Sequence, residues 1–138
     1  MRIHHVHVSL PTDWEEVPNE SRSYRRKGVN GGTLTISLRP PVANAIDENA
    51  VVDALGDMLN GVGLDVGQEV TSAHGPSPMG IIATSLYKSQ RHGLLQFWLV
   101  AAEVTVFASY IMGDLSEAKK DLLEAHQIVK TLQLVHEE

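Results

Sequence analysis

The stretch Leu94 to Gly113, LLQFWLVAAEVTVFASYIMG, is the longest apolar run in the chain and limits most strongly what the chain can fold into. Twenty residues are enough to cross a bilayer as a helix. Gln96 and Glu103 oppose that reading, because an acid at a helix centre costs roughly 2.5–3.5 kcal/mol to insert. No Lys or Arg cluster flanks the run either. Its composition favours β structure, since Phe97, Trp98, Val100, Val104, Thr105, Val106, Phe107, Tyr110 and Ile111 are β-branched or aromatic. A single straight strand of this length would extend about 66 Å, whereas a domain of this size has a radius of gyration of about 14 Å. The run must turn, and Ala102-Glu103 is the polar interruption near its middle. Apolar residues on both faces of each arm predict two central strands, covered at least partly on both sides.

A chain of 138 residues can bury a core of its own, which predicts a single domain over 1–138. A hydrophobic share of 43% with 20% charged residues is that of a globular domain rather than a disordered one. Without cysteine there is no disulfide framework, thiolate metal site or thiol nucleophile. The opening MRIHHVHVSLP has no apolar signal-like core and no cysteine for a lipobox, so a cytoplasmic location is expected. A net charge of −6 argues against nucleic acid as a partner, because that role needs a basic footprint.

Residues 3–10 alternate as a strand, with His4, Val6, Val8 and Leu10 on one face. A polar loop follows through Asn19, with Trp14 anchoring it at the core edge where its N–H can find a partner. Segments 22–28 and 33–39 read as a hairpin around Val29-Asn30-Gly31-Gly32, with Leu34, Ile36 and Leu38 inward, until Pro40-Pro41 ends the ladder. Asp47 to Asn60 carries a helical stripe of Val51, Leu55, Met58 and Val62, widened by Val52 and Leu59, with Asn44 or Asp47 as cap. Two further strands fall at 66–74 and 79–88. After the central pair, Asp114 and Glu117 are spaced as a capping box. The helix they open has the stripe Leu115, Ala118, Leu122, Ala125, Val129 and Leu132, and Lys119, Lys120, Asp121 and Glu124 form a solvated face. The expected fold class is α+β: an α/β/α sandwich whose antiparallel sheet has six or seven strands, in the order βββ–α–ββββ–α, with a helix on each face.

The pattern Leu10-Pro11-Thr12-Asp13-Trp14 after a first strand resembles the "LP-x-x-W" opening of the Mog/PsbP-like superfamily. The closing Ile128-Val129-Lys130-Thr131-Leu132 resembles the end of that group's last helix, and the element order between them is similar too. The resemblance implies one PsbP-like α/β/α sandwich over the whole chain and a non-enzymatic, protein-binding role of bacterial type. The group includes DcrB-like lipoproteins and Eag-type chaperones of type VI secretion effectors, and a small bacterial cytosolic member is the nearest fit. It therefore implies a chaperone-like or immunity-like protein whose partner is a secreted effector. Both motifs are structural, and no functional residue carries over from them.

The candidate sites rest on the residues alone. His5 and His7 share a strand face and could hold a metal with a third ligand such as His92 or His74, but no spacing places that ligand, so no metal or other cofactor is expected. Four of the eleven basic residues cluster at Arg22, Arg25, Arg26 and Lys27; alternation puts Arg22, Tyr24 and Arg26 on one face. These three are the candidates for docking a partner, against the simpler reading of a charge-protected edge strand. Ser77 near His74 lacks both a nucleophile elbow and an orienting acid. Asp47, Glu48, Asp53 and Asp57 read most simply as a solvated acidic helix face. Walker, dinucleotide and H-E-x-x-H motifs are missing, which removes any specific warrant for an enzyme. Two alternatives to a protein-binding module stay open: a small-molecule binder with a pocket between the sheet and the C-terminal helix, and a hydrolase.

Overall fold

A computed structural model describes residues 2–3, 6–17, 22–27, 32–40, 47–61, 68–89, 93–102, 104–111 and 118–134. In chain order the elements are β1 (Arg2–Ile3), β2 (Val6–His7), β3 (Trp14–Glu16), β4 (Ser23–Arg26), β5 (Thr33–Arg39), α1 (Glu48–Gly61), β6 (Gln68–Pro76), β7 (Ile81–Ser89), β8 (Gly93–Ala101), β9 (Thr105–Ile111), α2 (Ala118–Lys130) and β10 (Gln133–Leu134). Seven of the strands make one antiparallel sheet in the order β3-β4-β5-β9-β8-β7-β6. With a helix on each face it is the α+β sandwich that the patterning predicts.

The run that most constrained the chain forms β8 and β9, with its reversal at 102–104 as expected; Glu103 itself lies outside the described residues. Strand β8 is buried on both faces. Leu95, Phe97 and Leu99 pack with Val51, Leu55 and Leu59 of α1, while Trp98 and Val100 pack with Ala125, Ile128 and Val129 of α2. Helix α1 follows its predicted stripe and begins where the Asp47 carboxylate accepts the Asn49 N–H at 3.0 Å. The expected capping box at Asp114 and Glu117, the Asn30-Gly31 turn and Val62 lie outside the described residues.

Two strand assignments differ from expectation. The segment expected as one strand over 3–10 folds back on itself: β1 pairs with β2, and β2 pairs in turn with β10, making a separate three-stranded sheet. Alternation assigned Val6 and Val8 to a buried face correctly, since both are fully buried. It carried no information about the antiparallel pairing of β1 with β2. The third strand of the first group is instead β3, inside the stretch expected to be a polar loop. Its acidic residues are accommodated because Glu15 stands opposite Arg25 in the ladder and pairs with it at 3.2 Å.

Candidate functional site

The basic cluster was the strongest partner candidate in the sequence, and the structure splits it. Strand β4 lies between β3 and β5, so its inward face is roofed by α2 instead of forming an edge. Tyr24 and Arg26 share that face, as alternation requires, and both are buried; Arg25 and Arg22 are exposed. Arg26 Nε sits 2.9 Å from Asp121 Oδ1, with side chains only 6% and 3% exposed. The Tyr110 hydroxyl donates to Asp121 Oδ2 at 2.6 Å and accepts the Gly32 N–H at 3.0 Å. Burial, reinforced by the Asp121 hydrogen bond, raises the Tyr110 pKa well above the ordinary phenol value. Burial, with a smaller contribution from Glu16, pushes Tyr24 up to about 12. Tyr24 and Arg26 thus belong to the core, and of the three docking candidates only Arg22 reaches the surface.

Asp121 corrects a second expectation, because it was assigned to a solvated helix face. Positions 121, 125, 128 and 132 recur at helical spacing, so Asp121 lies in line with the buried Ala125, Ile128 and Leu132. That alignment was the available signal, and its partner Arg26 could not be foreseen from a residue 95 positions upstream. Glu124, expected in solvent as well, accepts the Trp14 indole N–H at 2.7 Å. Trp14 is the predicted loop anchor with its partner found.

Helix α2 lies over β8 and β9, and its two polar ties reach across to β3 and β4. Over the α2-facing surface of β6 and β7 a cleft of about 480 Å³ opens between the sheet and the helix. Ala73, Leu86, Leu122 and Leu123 make its walls apolar, and Leu123 stands 70% exposed at the rim. A smaller hollow of about 340 Å³ shares Ala73, Thr84 and His126 with it and runs on toward Pro76 and Lys130. A pocket between the sheet and the C-terminal helix was one of the readings the sequence left open, and a space stands there; its lining could not be read from periodicity, because that depends on how much of the sheet α2 covers.

The polar groups of the cleft are mostly engaged by the protein. Thr84 donates its hydroxyl to the Phe97 carbonyl at 2.7 Å and accepts from Gln96 Nε2 at 3.0 Å. His126 Nδ1 accepts the Trp98 indole N–H at 3.1 Å. An indole nitrogen only donates, so Nδ1 is bare and the proton of the neutral ring sits on Nε2. Burial, and then the charge of Lys130, lowers the His126 pKa and keeps the ring neutral near pH 7. Its Nε2–H is a donor available to a bound group.

The remaining candidates lie elsewhere. His74 Nδ1 is 2.8 Å from Glu48 Oε1, on the α1 face of the sheet. The Ser77 hydroxyl is held within its own turn, donating to the Gly80 carbonyl and accepting the Gly80 N–H, so it forms no pair with His74. Asp53 and Asp57 are exposed on α1. His7 is half-exposed in the small sheet, His5 and His92 lie outside the described residues, and among the described residues no three ligating side chains converge. None of the described helices is long and apolar enough to cross a membrane.

The described residues thus form a seven-stranded antiparallel sheet between two helices. No protein-family model matches the sequence, and no curated protein matches it. Solved structures do match. Cyanobacterial PsbP (CyanoP) from Synechocystis sp. PCC 6803 superimposes with a TM-score of 0.61 at 7% identity, over 94% of this chain and 86% of that one. LpqN of Mycobacterium tuberculosis, involved in cell envelope biogenesis, gives a TM-score of 0.60 at 12% identity, over 95% of this chain and 83% of that one. The chain has a PsbP-like fold.

Proposed function

We propose that this chain is a non-enzymatic binding module that takes apolar side chains of a protein partner into the cleft between β6, β7 and α2. The observation that carries the reading is the cleft's open side. A small-molecule pocket typically encloses 70–90% of its ligand. Here Leu123 stands uncovered at the rim and Thr71, Ser72 and Ala73 are exposed along it. Such a trough suits side chains projecting from a larger body. Among the described residues lining it the only titratable side chain is His126, and its Nδ1 is occupied by Trp98, so none of them is an acid that orients the imidazole as a general base. A secreted effector with an exposed apolar segment, met in the cytoplasm, is the kind of partner that the motif resemblance suggests.

Amide chemical-shift mapping tests the reading, with leucine-rich and phenylalanine-rich peptides as probes. Perturbations are expected at Ala73, Leu86, Leu122 and His126, and Leu123→Asp should abolish them. Shifts confined to other surfaces would overturn it. A second reading, a small apolar ligand, is favoured by the cleft's volume and by the free Nε2–H of His126. Native mass spectrometry of the purified protein separates the two, since a small ligand would add a discrete mass.

A further inference from the structure

We infer that the outer edge of β6 is a strand-addition site, where an extended segment of another protein pairs with the sheet and points alternate apolar side chains into the cleft. The inference rests on the reading of the cleft as a protein-binding site and specifies how the partner is held.

Strand β6 is the last strand on its side of the sheet and runs nine residues, about 30 Å. Its ladder is with β7, and among the described residues no backbone group bonds to its outer edge. Exposed edges are normally protected by lysine, proline, inward charge or a bulge. Here the bulge falls between Glu69 and Thr71 and the proline is Pro76, both at the ends. Between them Thr71-Ser72-Ala73-His74-Gly75 carries neither Lys nor Arg and presents mostly small side chains.

Register then sets what the added strand must look like. Thr71, Ala73 and Gly75 stand opposite Leu86, Thr84 and Ile82, on the α2 face of the sheet. Residues of an added strand opposite those three would lie on the same face, beside Leu123 and the cleft. Residues opposite Ser72 and His74 would lie on the α1 face, next to the exposed Glu48–His74 pair, and should be polar. The partner is thus an extended segment alternating apolar and polar over five residues or more. A second copy of this chain fits the edge poorly, because the part of its own β6 beyond the bulge would bring Thr71, Ala73 and Gly75 to the α2 face, too short to cover Leu123.

The test is a selection on immobilised protein from a displayed library of ten-residue segments, followed by synthesis of the winners. Enrichment of alternating apolar–polar segments is expected. Backbone N-methylation at every second residue should weaken a winner about tenfold or more in one parity, the scale of a few lost main-chain hydrogen bonds, and leave the other parity nearly unchanged. Leu123→Asp, a substitution at an exposed position that leaves the fold intact, should weaken the same peptide. Enrichment of apolar residues at three- and four-residue spacing, or equal tolerance of both N-methyl series, would overturn strand addition while leaving the cleft as a site for a helical partner. A selection that enriches nothing would overturn both.

Discussion

Replacing Asp121 by alanine is the sharpest test of how this fold is held together. The carboxylate answers two buried groups at once, Arg26 at 2.9 Å and the Tyr110 hydroxyl at 2.6 Å, and ties α2 to both β4 and β9. Breaking a buried ion pair by removing one partner costs about 3–5 kcal/mol, mostly because the other charge stays buried. That is a large fraction of the roughly 5–15 kcal/mol by which domains are stable. With a urea m value of about 2 kcal/mol/M, the midpoint should fall by about 2 M. Urea unfolding followed by tryptophan fluorescence reads this directly, because Trp14 and Trp98 are both buried. Asp121→Asn should cost less than Asp121→Ala, since the amide oxygen still accepts from Tyr110. Combining Arg26→Met with Asp121→Asn should recover most of the loss, because no buried charge then remains at the site. A loss below about 1 kcal/mol for Asp121→Ala, or no recovery in the double variant, would refute the account of a buried, mutually dependent pair.

Three further outcomes follow from packing and titration. Ile128→Ala should cost about 2–5 kcal/mol, as a fully buried deletion does, and Leu122→Ala about half as much, because Leu122 is only partly buried on the cleft rim; equal losses in urea titrations would contradict an open cleft beside Leu122. Stability should hold steady up to about pH 10, where tyrosines of the unfolded chain ionise, and then fall as pH rises toward about 12, because folded Tyr24 and Tyr110 keep their protons longer. Tyr24→Phe should flatten part of that decline, and an unchanged slope would count against its burial. Gly32→Ala should destabilise by about 1–3 kcal/mol, since a Cβ there would collide with the Ile111 carbonyl and the Tyr110 ring; a variant as stable as the parent would show that this approach is looser.

Elements whose apolar period matches their own geometry could be read from the residues. The central pair at Leu94–Gly113, the stripe of α1 and the Leu34–Ile36 face of β5 are of that kind. The motif residues also proved structural: Trp14 turns back to bond the Pro11 carbonyl at 3.0 Å, and Ile128, Val129 and Leu132 are buried at the end of α2. Periodicity names a face but not a neighbour. It could place Tyr24 and Arg26 together without knowing that β3, through Glu15 and Glu16, would take the edge and leave β4 inside. A pocket between the sheet and the C-terminal helix could be anticipated in outline, but its lining could not, since it depends on where α2 comes to rest, and contacts remote in sequence such as Trp14–Glu124 and Arg26–Asp121 bear on that.

The small sheet β1-β2-β10 bears on the order in which the molecule can be completed. Register sets His7 opposite Gln133 and Val6 opposite Leu134, so β2 finds this neighbour only from the far end of the sequence. During synthesis β1 and β2 leave the ribosome ahead of the rest of the domain, yet they must wait for every element between to be made before β10 can pair with β2. Closing so long a loop has a large entropic cost and is intrinsically late. Val6 and Val8, fully covered once folding ends, are therefore apolar groups held without their final partners until β10 has been made.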